Sequence, residues 1–457
     1  MASERAALAL AVGAARKRVV LSYPRFESDK ARPRVPSFYA LEAIRAAEGR
    51  LPGFADLSRR AAEASQTRMG WPAPQEAAQA IDDAEYDLSQ LRQLLMGDAK
   101  NANGAAHYLL TASPRLRRAL QFRARRWRPE WRYVDGLVEP NALARDALAD
   151  RHASLLERGF AVTALEKYAA CPYRFYLNTV VGLRPRKVSA AIEEMDAATR
   201  GLLIHELLRS VSIELHAQGL FSPDTDLLHA KRVLLAAVNR AAANYRDELA
   251  PAIPRVWEDA ISDIAADLVR WLQVTRESGW QPVHFEHEFG RRPSQASAAQ
   301  AAGPIMLPFG LPLQGVIDAI EQSGARLRAT DYKTGIPPET NVVVGGGRHL
   351  QPTLYALVIE QLFPERQVTG GNAFYCTTKG QFSRNEVALA EPARAAAAAV
   401  HETIQSAFQQ GFFPAAPAEK SCEFCDFRRL CGPYERERVE RKTEAQLEPL
   451  LKLRALP

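Results

Sequence analysis

Asp331, Tyr332 and Lys333 form a D-x-K triplet, and Asp318 precedes it in Gly-Val-Ile-Asp. Two carboxylates beside one ammonium suit phosphodiester hydrolysis. The carboxylates hold one or two divalent cations with positions left open for a phosphate oxygen and water, and the lysine orients the water or meets the developing negative charge. Hard oxygen ligands favour Mg2+ or Mn2+ over zinc. The backbone carbonyl of Tyr332 offers one more oxygen. An isolated D-x-K is ordinarily a surface ion pair, so its surroundings carry the weight. His205, in the apolar run from Arg200 to Leu208, can bring an imidazole to the same cation. Gln351 and Tyr355 are spaced to share one face of a helix started by Pro352 at its first position. The glycine triplet Gly345-Gly346-Gly347 just before them can run close to a phosphate backbone.

The cysteines make a second constellation. Cys171 stands alone in Ala-Cys-Pro-Tyr-Arg-Phe, and Cys422, Cys425 and Cys431 follow far downstream as C-x2-C-x5-C. Five cysteines in 457 residues argue against a disulfide scaffold, and in a reducing compartment such spacing marks a metal or redox site. Four thiolates accept an iron–sulfur cluster or a tetrahedral zinc. Either would clamp the returning chain onto the helix near Cys171 and close a long loop. Cys376 falls outside the set, in a strand, as a buried free thiol.

Positioning these side chains takes a hairpin, two helices and a closing segment. Gln314–Ile320 and Arg326–Lys333 read as strands around the turn-forming Glu321-Gln322-Ser323-Gly324-Ala325. Strand alternation puts Asp331 and Lys333 on one face and Tyr332 on the other, with Asp318 brought toward the pair. Around this hairpin the periodicity predicts helices near 163–178, 196–218, 226–248 and 257–277, then strands at 282–289 and 311–334. A helix after Pro352, a strand at 371–377 and a helix at 392–410 follow, and residues 294–302 read as a surface loop. The chain before this is different. Residues 5–23 read as a helix running into a strand, Arg18 to Tyr23, and Ser37 caps a helix that begins at Phe38. A mostly helical pattern then continues to about residue 125, clearest over Asp82 to Met96. The expected division is a mainly helical domain over 1–135, an α/β domain over 136–440 and a charged C-terminal tail over 441–457.

A formal charge of +6 and a pI near 9.0 lean toward an acidic partner. The distribution says more: eight arginines between Arg115 and Arg132 are interleaved with Trp127, Trp131 and Tyr133, a mixture that grips phosphates and stacks on bases. Arg125, Arg126, Arg128 and Trp127 are the nucleic-acid contacts this stretch suggests. No run reaches the roughly eighteen apolar residues of a membrane span, and Met-Ala-Ser-Glu-Arg opens no secretory signal, so a cytoplasmic location is expected.

In order and type these motifs resemble the nuclease domain of the RecB and AddB family, within the PD-(D/E)XK superfamily, over roughly residues 160–435. The resemblance rests on Gly201-x-x-x-His205, Gly315-Val-Ile-Asp318, Asp331-Tyr-Lys-Thr-Gly335 and Gln351-x-x-x-Tyr355. It implies an α/β, restriction-endonuclease-like core with helical insertions. It further implies Mg2+ (or Mn2+) held by His205, Asp318, Asp331 and the Tyr332 carbonyl, Lys333 as the catalytic lysine, and Gln351 and Tyr355 holding DNA near the scissile phosphate. The cysteine arrangement is similar to the AddB-like branch and implies a 4Fe-4S cluster on Cys171, Cys422, Cys425 and Cys431. Leu8 to Tyr23 resembles the last motif of UvrD- and RecB-type superfamily 1 helicases, with Gly13 and Ala14 where that motif has Thr-Arg. No G-x-x-x-x-G-K-[ST] loop is present, so residues 1–135 read as the remnant end of an inactive helicase-like domain without ATPase activity. The implied activity is a Mg2+-dependent DNA exonuclease or single-strand nuclease in DNA-end processing and double-strand-break repair, alongside an AddA-like helicase partner. Two other readings are a non-catalytic iron–sulfur DNA-binding scaffold and a stand-alone nuclease akin to CRISPR-adaptation exonucleases.

Overall fold

The computed structural model describes residues 2–19, 26–27, 32–33, 38–51, 53, 56–57, 59–60, 73–96, 111, 113–138, 141–185, 195–249, 254–290, 303–423, 425–431 and 434–457. The chain divides into two compact units, Met1–Ala124 and Arg125–Pro457. In the first, helices α1 (Ala2–Gly13), α2 (Phe38–Glu48), α3 (Asp83–Met96) and nearly all of α4 (Pro114–Arg125) dominate. The strands β1 (Phe26–Glu27) and β2 (Arg32–Pro33) pair antiparallel. Helix α3 starts where the sequence signals it: the Asp82 carboxylate accepts from Glu85 N at 2.7 Å, and Glu85 reciprocates from Ile81 N at 3.1 Å. The strand expected at Arg18–Tyr23 is absent at Arg18 and Val19; the rest of it, like Ser37, lies outside the described residues.

The second unit opens with α5 (Ala142–Arg158), β3 (Phe160–Ala161), α6 (Val162–Ala170) and the short α7 (Pro172–Phe175). Three long helices follow, α8 (Ala197–Ala217), α9 (Leu227–Leu249) and α10 (Pro254–Glu277). Asp196 caps α8 by accepting from Thr199 N at 2.7 Å. Then come β4 (Gln281–Phe289), β5 (Ile305–Met306), β6 (Pro312–Ser323), β7 (Arg326–Lys333), α11 (Gln351–Leu362), β8 (Gln367–Tyr375), β9 (Arg384–Ala388) and α12 (Glu391–Gln410). Short helices α13 (Arg428–Cys431), α14 (Glu435–Glu440) and α15 (Glu448–Arg454) end the chain.

Seven strands form one mixed sheet with the path β3-β6-β7-β8-β9, and β4 and β5 also pair with β6. The β6–β7 and β4–β6 pairs are antiparallel, whereas β7–β8 is parallel and α11 makes the crossover. Helix layers cover both faces. One core packs Leu327 and Ala329 of β7 against α6, α11, α12 and α15, and the other packs Ala319, Tyr332 and Phe374 against α8, α9 and α10. The hairpin turn is tighter than the sequence suggests: only Gly324 and Ala325 lie outside the strands, with Gly324 at φ 62°. Glu321 stays in β6 because its buried carboxylate meets Arg328 Nε at 2.6 Å.

Segment 441–457 belongs to this unit's core through Leu447, Leu450 and Leu453. The glycine triplet is also placed differently from the expectation. Its loop packs on the C-terminal segment, with Gly345 N donating to Pro457 O at 2.9 Å and Gly346 N to Leu456 O at 3.0 Å. Its amides are thus taken up by the protein's own backbone.

Candidate active site

Helix α11 comes close to the sheet because β8 has a glycine below it: a Cβ on Gly371 would stand 1.9 Å from the Pro352 carbonyl. That approach lowers Gln351 onto the end of β7. Its Nε2 donates to Asp331 Oδ1 at 2.6 Å, its Oε1 accepts from Lys333 Nζ, and Tyr355 Oη lies 3.5 Å from Nε2. Lys333 Nζ reaches Asp331 Oδ2 at 2.6 Å. Asp331 and Lys333 share one face of β7, and the Tyr332 ring lies on the other, edge-on to Trp271. The backbone of Tyr332 still takes part, since its N–H donates to Asp318 Oδ2 at 2.7 Å.

Helix α8 supplies His205 from the opposite layer. Gly201, one turn earlier, lies against Thr334, where a Cβ would sit 3.5 Å from Oγ1. His205 Nδ1 is 3.4 Å from Asp318 Oδ2. Four motifs dispersed from Gly201 to Tyr355 therefore converge.

A residue that sequence reasoning missed also enters the site. The β4–β6 ladder pairs Phe285 with Ala319 and His287 with Ile317, which sets Glu286 across from Asp318. Glu286 has φ 45°, a left-handed value unusual for a residue with a side chain, and such local strain is typically stored at functional sites. One ligand atom each from His205, Glu286 and Asp318 lie within 4.8 Å of one another. Three points so spaced have a common centre no more than about 2.8 Å from each, against about 2.1 Å for oxygen on Mg2+, so a small inward movement of the side chains would close the group on a cation. Asp331 is outside that group, and its oxygens are engaged by Lys333 and Gln351.

Charge crowding agrees with a cation there. Burial raises the Asp331 carboxyl, with Asp318 adding to the rise against the pull of Lys333. Burial likewise raises Glu286, again with Asp318 adding. For His205 burial works downward, but Asp318, with Asp331 and Glu286 adding, offsets it and the imidazole stands above its usual value. Asp331 Oδ2 is buried without an aligned hydrogen bond, its one close partner being the Lys333 ammonium. Oxygen donors with one imidazole fit Mg2+ or Mn2+.

The cysteines form a looser set. Cys171 begins α7, and its sulfur feels those of Cys431 and Cys425; Cys422 feels all three others. Burial, with neighbouring sulfurs adding to it, pushes the thiols of Cys171 and Cys422 up to about 12. The sulfurs influence one another, but among the described residues no three of them gather as closely as the His205, Glu286 and Asp318 atoms do. Cys376 is a fully buried free thiol apart from them, just past β8.

The arginine stretch divides. Arg125 and Arg128 are exposed, and Arg125 donates to Tyr133 Oη. Arg126 is turned inward instead. It is 2% exposed, donates to the Cys431 carbonyl and lies over the Tyr173 ring. Arg438 donates to the same carbonyl at 2.8 Å. Trp127 is half-buried between Tyr434 and Arg441. Arg126 and Trp127, expected to contact DNA, thus pack on the cysteine segment, whose carbonyl and rings lie too far along the chain for the local pattern to reveal. Trp131 and Asp135 are pinned similarly, by Thr443 O at 2.9 Å and Lys442 Nζ at 2.6 Å. No helix among the described residues is long and apolar enough to cross a membrane.

A family model described as the PD-(D/E)XK nuclease superfamily matches residues 159–432, the span that holds both constellations. The AddB chain of the ATP-dependent helicase/deoxyribonuclease of Moorella thermoacetica is 26% identical over 213 residues, 45% of this chain and 18% of that protein. The corresponding AddB chain of Ruminiclostridium cellulolyticum is 26% identical over 190 residues, 38% of this chain and 15% of that protein. The Gene 69 protein of Mycobacterium phage L5 is 28% identical over 137 residues, 28% of this chain and 44% of that protein. The matches take in less than a fifth of either AddB chain, so the similarity concerns one region of those longer proteins. With a mixed sheet carrying Asp318, Asp331 and Lys333 between two helix layers, the chain belongs to the PD-(D/E)XK nuclease superfamily and is AddB-like in its nuclease region.

Proposed function

We propose that this chain is a Mg2+-dependent DNA nuclease that trims DNA ends in double-strand-break repair, as an exonuclease or single-strand nuclease. The observation that carries the reading is the contact of Lys333 with Asp331 and Gln351, beside the His205, Glu286 and Asp318 group. His205, Asp318, Asp331 and Glu286, with the Tyr332 carbonyl, would hold the cation. When bound, it polarises a phosphate oxygen and lowers the pKa of an attacking water. Lys333, held by Asp331 and Gln351, presents its ammonium to the attacking water or to the charge that builds on the phosphate. Gln351 fixes the lysine's direction, and Tyr355 supports Gln351 from the next turn.

Cys171, Cys422, Cys425 and Cys431 would hold a 4Fe-4S cluster, with a structural zinc as the rival. Broad absorption near 400 nm with stoichiometric iron and sulfide distinguishes the two; a colourless protein with stoichiometric zinc overturns the cluster. Exposed Arg125 and Arg128 are the phosphate contacts proposed from the arginine stretch. The N-terminal unit is read as the end of a helicase-like domain without ATPase activity, and an AddA-like helicase is the proposed partner.

The test is degradation of end-labelled linear single- and double-stranded DNA by the anaerobically purified chain, with Mg2+ or EDTA and without ATP, beside Lys333→Ala. Mg2+-dependent cleavage that falls by at least about 10²-fold in the variant, with DNA binding retained, supports the assignment. Wild-type-like turnover in Lys333→Ala refutes it. DNA binding with no cleavage by either protein, with or without a helicase partner, points to the scaffold reading.

A further inference from the structure

Helix α11, which carries Gln351 and Tyr355, has no cap of its own: its N-cap residue is Leu350, and no side chain of that residue meets the first-turn amides. Such amides need acceptors when they are buried. The acceptor comes from another helix. Glu166, on α6, accepts from Leu350 N at 2.9 Å and stands beside the Gln351 backbone. A carboxylate at this end also meets the positive end of the helix dipole. The same carboxylate lies within electrostatic reach of Lys333 and Asp331, so it belongs to the site's surroundings although no sequence motif includes it.

Helix α6 has little freedom to move. Val162, Leu165, Tyr168 and Ala169 are buried, and Gly347 packs so closely that a Cβ on it would stand 2.8 Å from Ala169 Cβ. Arg454 donates to Ala169 O at 3.0 Å, to Ala170 O at 3.3 Å and to Ala416 O at 2.7 Å, joining the end of α6 to the stretch of chain that leads to the other cysteines. The residue after Ala170 is Cys171, whose N–H closes α6 on Lys167 O at 2.9 Å. Glu166 and Cys171 are thus two points on one anchored rod.

We infer that Glu166 is a positioning residue: by holding the first turn of α11 it fixes Gln351, and through Gln351 it fixes Lys333, to the helix that ends in Cys171. The inference deepens the nuclease reading and rests on it for its kinetic consequence. A shift of α6 would reach the lysine through two hydrogen bonds, Glu166 to the start of α11 and Gln351 to Lys333, and it would leave His205, Glu286 and Asp318 uncontacted.

The experiment compares the full-length wild type with Glu166→Ala and Glu166→Gln. It measures kcat and KM on end-labelled DNA, metal content at the cysteines, and hydrogen–deuterium exchange over residues 348–354. Glu166→Ala should lower kcat on the order of 10- to 100-fold, the scale of misplacing a catalytic group by about an ångström, with KM within about twofold. Glu166→Gln keeps an oxygen for the amides and should return kcat to within about threefold of wild type, since the neutral cap retains most of the hydrogen bonding. Exchange at the Leu350 and Gln351 amides should quicken in Glu166→Ala and be restored in Glu166→Gln, with metal content equal in all three. A wild-type kcat in Glu166→Ala, a loss that Glu166→Gln does not rescue, or unchanged exchange would each overturn the inference. If Glu166→Ala does not fold, Glu166→Asp replaces it, and its shorter reach must lower kcat at constant KM. If the wild type itself does not cleave with or without a helicase partner, the nuclease reading fails, and the exchange data alone decide whether Glu166 caps α11.

Discussion

Glu286 offers the sharpest check on the site because nothing in the local sequence singles it out. Glu286→Gln keeps the side-chain shape and the β4–β6 register but removes one negative charge from the group formed with His205 and Asp318. At an effective dielectric near 20, a carboxylate and a divalent cation about 4 Å apart attract by about 8 kcal/mol, most of which is offset by the water each gives up. The His205 side chain is 32% exposed, so solvent takes part of that. Allowing for it leaves about 1.5–3 kcal/mol, or about 10- to 150-fold in affinity for a divalent cation. The assay is Mn2+ titration of the DNA-free protein, followed by the loss of the free-ion electron paramagnetic resonance signal. Glu206→Gln is the control. Glu206 is a half-buried carboxylate paired with Arg209 that acts on Glu286 only through space, and its loss should change affinity by less than about threefold. Equal affinity in wild type and Glu286→Gln, or equal losses in the two variants, would refute the ligand role.

Other outcomes follow from buried charge and from the divided arginine stretch. Lys442 and Asp135 are 1% and 5% exposed, so Lys442→Met strands a buried carboxylate and should cost about 3–5 kcal/mol in urea denaturation; a loss below about 1 kcal/mol would refute this. Arg125→Ala with Arg128→Ala should lower the slope of log affinity against log salt by about 1.5 on DNA. Arg126→Ala should leave that slope alone and reduce the metal content of the cysteine site, and the opposite pattern would return Arg126 to the DNA surface. Glu166 is held up to about 7, mainly by burial, against an ordinary 4.5. The folded state therefore binds the proton more tightly. The stability this brings is complete below pH 4.5 and is lost as pH rises through 7, by at most about 3 kcal/mol in metal-free buffer. Denaturation of Glu166→Gln should show that dependence flattened, and an identical pH profile would contradict it.

The nuclease core was legible because its residues signal locally. Asp331 and Lys333 alternate along one strand, Pro352 announces α11, and the long helices near 196–218 and 257–277 lie within a few residues of α8 and α10. What stayed hidden depends on partners far along the chain. Glu286 faces Asp318 only through the register of β4 on β6 and a left-handed backbone at one residue. Glu166 reads as an ordinary helix residue until α11 is laid against it. The arginine stretch has the composition of a phosphate grip, yet composition does not say which guanidinium turns inward; for Arg126 that is decided by the Cys431 carbonyl. The glycine triplet has the freedom to approach a phosphate, but its amides meet Leu456 and Pro457.

The contacts that close the second unit join its first residues to its last. Asp135 and Lys442 are 307 residues apart, and Trp131 and Thr443 are 312 apart. At a synthesis rate of roughly 5–20 residues per second, Asp135 waits about 15–60 s for its lysine to be made, and Cys171 waits nearly as long for the other thiols. During that interval the sheet can form while its clamp stays open. A nascent chain in this state is exposed to chaperones, to proteases and to oxidation of Cys171 before the later thiols are made.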